Sequence, residues 1–241
     1  NIKTFENVYK SAGDNFYRDF YIRKRTNNIF ISSKLATSKD LFISDKYNKW
    51  ITNVYSRGRV HLLRANHDSI LTTSKTILKD NSMLNCRIDG LKKYSPKRFV
   101  IDKNLSIPVT SKIIRTANKI KTYIFYNLID NIKLEKLKRL KVITIRIDLK
   151  NNHLDFDKII FFLRNKGFYR VFVEAGIEFN NFLLENNYIN DFYHFYSDEL
   201  FGYKGFHNAK FFFNKMNKIM RDKKKIRINL FQDKLIKYLL K

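Results

Sequence analysis

The side chains of this chain that suit chemistry gather in one stretch and one outlying string. Between positions 34 and 87 run "KLATSKD" (Lys34 to Asp40), "KWIT" (Lys49 to Thr52) and "RGRVHLLRANHDSILTTSKTILKDNSMLNCR" (Arg57 to Arg87). Far downstream lies "VFVEAG", Val171 to Gly176. Residues of these kinds bind anions through guanidinium and ammonium groups and move protons through carboxylates and amines. Other chemistries have no support. There is no G-x-G-x-x-G fingerprint and no Walker A loop. The single cysteine, Cys86, cannot build a multi-cysteine zinc site, which removes a zinc deaminase of the H-x-E…P-C-x-x-C kind within this chain. His61, His67, His153, His194 and His207 show no metal-ligand spacing. His61 falls on a helix and reads as a satisfied structural residue.

The strings need elements to hold them. Asn28 to Ala36, with Ile29, Phe30 and Ile31, reads as a buried strand that ends in the first string. Thr52 is positioned to cap a helix carrying Val54 to Arg64, and "DSILTT" (Asp68 to Thr73) reads as the next strand. Ser74 caps a short helix through Asp80. Residues 97–102, 122–126 and 141–147 are further strands. Asp155 then precedes Phe156, Ile159, Ile160 and Leu163, a spacing that puts four apolar side chains on one helix face. Gly167 stands where a helix stops in the left-handed conformation. Phe168 to Glu174 follows as a strand, and Phe179, Phe182, Leu183 and Leu184 mark another helix. Residues 190–197 and parts of 208–231 read as strands. Strands alternating with helices of 10 to 15 residues imply an α/β domain with a mostly parallel sheet covered on both faces. Residues 1–28 are polar, with aromatic pairs at Phe16-Tyr17 and Phe20-Tyr21, and read as a connecting segment.

Composition sets the outer bounds. A chain of 241 residues, 44% apolar, buries roughly 70–75% of its unfolded surface and needs no disulfide. No apolar run approaches the roughly 20 residues of a membrane span, and acidic residues interrupt any signal-like start. One cysteine fits a reducing cytoplasm. The formal charge of +26 and a pI near 10.0 point naively to nucleic acid. Yet lysines are spread from Lys3 to Lys241 beside abundant Asn, Ile, Phe and Tyr, all with AT-rich codons. Compositional drift explains that pattern without a polyanion partner, and a positive field also recruits small phosphorylated ligands.

Taken in order and spacing, the quoted strings resemble the reductase domain of the bacterial bifunctional pyrimidine deaminase/reductase of riboflavin biosynthesis, from about Phe16 to about Gly202. The resemblance implies a dihydrofolate-reductase-like α/β fold, with a central mixed, mainly parallel sheet flanked by helices. It implies NADPH-dependent reduction of the ribose of a phosphorylated ribosylaminopyrimidine, 5-amino-6-(5-phosphoribosylamino)uracil, to an open ribityl chain, without a metal. It also divides the chain into a connector (1–28), from a possible preceding deaminase domain, and a reductase domain (29–241), with a homodimer as the default assembly.

By the same resemblance, Arg64 and Arg87 match substrate-binding arginines; a guanidinium fork suits a phosphate monoester. Asn48 and Leu84 match substrate-contact positions. Ala36 falls beside the nicotinamide, and Thr76 and Asp80 match positions that touch NADPH. Trp50 matches a cofactor-contacting residue, with a buried core aromatic as the other reading. Gly176 matches the glycine of the turn that holds the cofactor's pyrophosphate. Lys34 and Glu174 end two different strands facing the substrate, and they are the expected pair for proton or charge work. Two departures from the family pattern stand out. Leu41 replaces a common glycine, and Glu178, after Ile177, would repel a pyrophosphate unless turned outward. The alternatives are a degenerate, non-catalytic paralogue and a basic nucleic-acid-binding protein on the same fold; the reductase reading expects no specific nucleic acid and no membrane partner.

Overall fold

The computed structural model describes residues 3–5, 8–48 and 50–240, with backbone alone at Ser11 and Asn15. Lys49 of the "KWIT" string lies outside the described residues, as do Asn1, Ile2, Glu6 and Asn7 of the connecting segment. That segment is helical: α1 (Lys10–Phe16) and α2 (Arg18–Thr26) precede the first strand. Then come β1 (Phe30–Thr37), β2 (Phe42–Asp45), α3 (Val54–Ala65), β3 (Ser69–Thr73), α4 (Ser74–Asp80) and β4 (Lys97–Ile101). The middle of the chain forms α5 (Lys112–Arg115), β5 (Thr122–Tyr126), α6 (Asn131–Arg139), β6 (Ile143–Arg146) and a small hairpin of β7 (Leu149–Lys150) and β8 (His153–Leu154). The last third holds α7 (Phe156–Asn165), β9 (Arg170–Glu174), α8 (Ile177–Glu185), β10 (Asp191–Tyr196), β11 (Gly205–Asn208), α9 (Lys210–Ile219), β12 (Asp222–Lys225) and β13 (Lys234–Leu239).

Nine strands form one sheet in the order β12-β13-β10-β1-β9-β3-β4-β5-β6. The run from β10 to β6 is parallel throughout; β13 pairs antiparallel with β10, and β12 antiparallel with β13. The central strands, β1, β3, β4, β5, β9 and β10, are buried on both faces, so neighbouring side chains serve opposite cores. Leu71, Phe99, Phe125, Val171 and Val173 pack with Ile159 and Leu163 of α7, Leu183 of α8 and Phe212 of α9. Ile70, Val100, Ile124 and Phe172 pack with Leu63 of α3, Ile77 of α4, Ile113 of α5 and Leu137 of α6. This is the α/β, mixed but mainly parallel architecture with helices on both faces that the sequence implied.

Local signals explain the boundaries. Asp155 caps α7, its Oδ1 accepting from the Asp157 and Lys158 amides at 3.1 and 3.4 Å. Gly167 ends that helix with φ +81°, a conformation glycine adopts without strain. Three expectations are corrected. The cap of α3 is Asn53, not Thr52: its Oδ1 accepts from the Tyr55 and Ser56 amides, both at 3.0 Å. Thr73, not Ser74, takes the cap position of α4, with no side-chain bond. Of residues 208–231, parts of which were expected as strand, 222–225 form β12 but 210–219 are helical. The aromatic run Phe211-Phe212-Phe213 favours strand by residue type, but Phe212, Phe213 and Met216 bury at helical spacing while Phe211 faces solvent.

The amino-terminal helices lie at the end of the sheet where parallel strands begin. Arg18 pairs with buried Asp191 at the start of β10, and Asp19 with Arg170 at the start of β9 (3.0 Å). The carboxyl ends of β1, β9 and β3, three neighbours in mid-sheet, are left at the opposite end.

Candidate active site

In open α/β sheets, ligands bind outside the carboxyl ends of the strands. There β1 supplies Lys34 and Ala36, β9 supplies Glu174 and β3 supplies Thr72. Lys34 and Glu174 are direct partners in the β1–β9 register. The Thr72 hydroxyl donates to the Glu174 main-chain carbonyl at 2.7 Å, which ties β3 to the same point. Arg64 reaches the carboxylate from the last turn of α3. Its Nε donates to Oε1 at 2.5 Å and its Nη2 to Oε2 at 2.9 Å, a bidentate fork. Lys34 Nζ stands 4.0 Å from Oε2, close enough for Coulomb attraction but beyond a hydrogen bond.

A second layer joins this cluster to the segment after α4. Arg64 Nη1 donates to the Asn85 main-chain carbonyl at 3.0 Å. The Nδ1 of His61 lies 3.0 Å from the same oxygen, and its Nε2 lies 3.3 and 3.2 Å from Nε and Nη2 of Arg87. Leu84, buried, has a left-handed backbone (φ +49°), and the carbonyl before it, on Met83, accepts from buried Arg98 at 3.0 Å. The network runs unbroken from buried Glu174 to exposed Arg87.

Charge states follow from these contacts. Burial alone would raise the Glu174 carboxyl. The charge and hydrogen bonds of Arg64, with Lys34 behind it, overcome that and hold it below the usual carboxylate range. Arg64 is itself held more firmly protonated by Glu174, against the opposing effect of burial. His61 is lowered by burial first and then by Arg64 and Arg87, so it is neutral at pH 7. The site presents an ionised carboxylate committed to an arginine, an ammonium beside it, and a neutral imidazole.

The family whose description is RibD C-terminal domain matches residues 30–207. The chain belongs to that family. RibD of Actinobacillus pleuropneumoniae, named a riboflavin biosynthesis protein, is 26% identical over 205 residues, covering 84% of this chain and 54% of its own length. A Buchnera aphidicola protein named 5-amino-6-(5-phosphoribosylamino)uracil reductase is 27% identical over 169 residues, covering 65% of this chain and 78% of that protein. Among solved structures, Acinetobacter baumannii RibD superposes with a TM-score of 0.75 at 20% identity, over 97% of this chain and 64% of its own. The yeast riboflavin biosynthesis reductase Rib7 gives 0.67 at 19%, over 95% and 99%. These two show a shared fold. The chain spans about half the length of the RibD relatives it matches first.

In this RibD C-terminal domain, Lys34, Arg64, Glu174 and Arg87 form one connected cluster, with Ala36 half-buried two residues along β1 and Leu84 adjoining Asn85. The remaining expected residues stand around it without joining it. Asn48 and Trp50 lie exposed in the loop after β2; the Asn48 amide donates to Asp45 Oδ1 at 2.7 Å. Trp50 is 56% exposed with the Arg57 guanidinium 4.8 Å from its ring, so the core-aromatic reading falls. Thr76 sits in the first turn of α4, its hydroxyl 3.3 Å from that of Thr73, and Asp80 ends that helix in solvent. Gly176 is the N-cap of α8, exposed, without a side-chain cap, and with open space where a Cβ would lie. Glu178 turns onto Lys75 at 2.5 Å, both exposed, bridging the first turns of α8 and α4. Leu41 adopts φ +66°, a backbone natural to the glycine it replaces.

Two contributors were not assigned from the sequence: Asn85 went unnoticed, and His61 was read as structural. Asn85 acts through its main-chain carbonyl, for which residue type carries no signal. His61 did carry one: it precedes Arg64 by three residues on a helix, and residues so spaced share a face.

Proposed function

We propose that this domain reduces the ribose of 5-amino-6-(5-phosphoribosylamino)uracil to the ribitylamino product with NADPH. The observation that carries the reading is the Lys34–Glu174–Arg64 cluster, continued to Arg87, at the carboxyl ends of the central strands of a RibD C-terminal domain. The name of the Buchnera relative supports the substrate.

The residues present fit a dinucleotide. The first-turn amides of α8 project from an uncapped N-terminus beside open space at Gly176, a donor set suited to phosphate oxygens. Gly176, Thr76, Asp80, Trp50 and Ala36 are the residues we assign to NADPH, which when bound supplies the hydride that C1′ of the ribose must receive. The protein's own work is to open the ring and hold its ends. Opening breaks the C1′–O4′ bond and needs a proton on O4′. Lys34 is the donor we assign, because no hydrogen bond to its ammonium exists among the described residues and Glu174 stays ionised beside it. Arg87, exposed and hinged on His61, takes the substrate's phosphate. Arg64 has both edges of its fork on Glu174 and Asn85, so it contributes by fixing those two groups. Asn48 and Leu84 complete the substrate contacts.

We also infer a connector at 1–28 and a reductase unit at 29–241, supported by β13, which extends the sheet well beyond residue 207. A homodimer in the cytoplasm is the setting we infer. Among the described residues no helix is long and apolar enough to cross a membrane. The deciding experiment follows NADPH absorbance with the deaminated ribosylaminouracil phosphate as substrate and NADH as comparison. Turnover that prefers NADPH is the expected result. A folded protein with fresh substrate and no turnover would replace this reading with the non-catalytic paralogue.

A further inference from the structure

The imidazole of His61 has a more demanding place than packing requires. It is buried on α3, one turn before Arg64. At Nδ1 its nearest partner is a carbonyl, Asn85 O, at 3.0 Å, which only accepts; the Arg87 main-chain N–H stands farther off, at 3.3 Å. At Nε2 it meets a guanidinium, Arg87, at 3.2 and 3.3 Å; a guanidinium only donates, so Nε2 must offer its lone pair. The guanidinium at Nε2 decides between the neutral forms: the ring is protonated on Nδ1, which gives that hydrogen to the closer Asn85 carbonyl. We propose that His61 is a positioning residue for the substrate's phosphate, fixing through that tautomer the angle at which Arg87 presents its guanidinium. This rests on the reading that Arg87 binds that phosphate.

The surroundings favour the neutral ring. Arg64 from α3 lies 3.4 Å from Nδ1 and shares the Asn85 carbonyl; Arg87 faces the ring from the segment after α4, and Glu174 faces it from β9, behind Arg64. Burial and the two guanidinium charges hold the ring's protonation below the ordinary histidine range, and Glu174 only partly opposes them. The arrangement therefore persists through neutral pH. It fails when acid protonates Nε2, because an N–H then faces a group that cannot accept. Phosphate affinity should fall with it.

Three proteins test this: wild type, His61→Leu, which keeps bulk but cannot accept, and His61→Gln, whose amide oxygen accepts without titrating. Thermal melts first establish that each folds. KM and kcat are then measured from about pH 5 to 8 with phosphorylated and with dephosphorylated substrate. A hydrogen bond to a charged group sets the expected scale: His61→Leu raises KM for the phosphorylated substrate about tenfold or more, with kcat within about threefold. His61→Gln recovers most of the loss and shows a smaller acid rise in KM than wild type, what remains being protonation of the phosphate itself, whose second pKa is about 6. The dephosphorylated substrate is indifferent to both changes. An unchanged KM in His61→Leu, equal losses on both substrates, or an acid rise in His61→Gln equal to that of wild type overturns the proposal. If wild type turns over neither substrate, the reductase reading has failed. Ribose 5-phosphate titrated into the same three proteins then decides the role of His61, with weakened binding in His61→Leu supporting it and equal binding refuting it.

Discussion

Glu174 is buried at the end of a central strand with its charge intact, and Arg64 is the group that makes this tolerable. Removing one partner of a buried pair strands the other, whereas replacing both can be nearly neutral. Arg64→Ala should therefore lower unfolding stability by about 3–5 kcal/mol in urea titrations, and the double change Arg64→Met, Glu174→Leu should cost less than Arg64→Ala alone. A surface arginine serving only a ligand would show neither effect. Lys34 should behave in the opposite manner. Its ammonium is partly exposed and only 4.0 Å from Glu174, so Lys34→Met should leave the melting temperature almost unchanged while cutting kcat by about 10²–10⁴, the range of a general acid. Equal losses of stability and rate would make Lys34 one half of a structural ion pair with Glu174 instead. The Lys34–Glu174 pair was legible in the sequence. The Arg64–Glu174 pair was not, because the two are 110 positions apart and only the sheet order, with β9 inserted between β1 and β3, brings them together.

Elements differ in how openly they declare themselves. The α7 helix was legible end to end because an aspartate cap, a four-residue apolar face and a left-handed glycine all agree. β13 was not, since its burial depends on finding β10 as an antiparallel neighbour. The ribbon of β2 and β11 was equally hidden: Gly205 pairs with Asp45, Phe206 with Ser44 and Asn208 with Phe42. This ribbon anchors the loop that carries Asn48 and Trp50, and one contact in it is decisive. A Cβ on Gly205 would lie 2.3 Å from the Phe42 ring, so any side chain there must displace that ring. Gly205→Ala should cost about 1–3 kcal/mol, the range for an overpacked site. The loop should loosen with it, and Trp50 fluorescence, specific because the chain has a single tryptophan, should report the change. Unaltered stability and emission would mean that the ribbon does not position the loop.

For the whole molecule, acid is the informative stress, because the fold buries imidazoles in their neutral form. His67 is buried, bonded through Nδ1 to the Leu63 carbonyl and lying 5.0 Å from the Phe172 ring; burial lowers its pKa from 6.5 to about 4. His194, stacked 4.1 Å from Phe213 and bonded to the Thr37 hydroxyl, is pushed by burial to about 3. For such groups the unfolded chain takes up protons before the folded one does, so stability falls as pH falls. The contribution of His67 is complete above about pH 6.5 and is lost on the way down to about pH 4; a displacement of that size corresponds to about 3 kcal/mol. His194 extends the loss to about pH 3. A chain already carrying a net charge of +26 has no surplus of negative charge to offset those protons. Urea unfolding of wild type should therefore weaken steeply between about pH 6.5 and 4. His67→Gln, which keeps a donor for Leu63 but does not titrate, should start less stable at neutral pH and lose about 3 kcal/mol less over the same interval. Parallel curves for the two proteins would place the acid sensitivity elsewhere, in the carboxylates that salt bridges hold ionised.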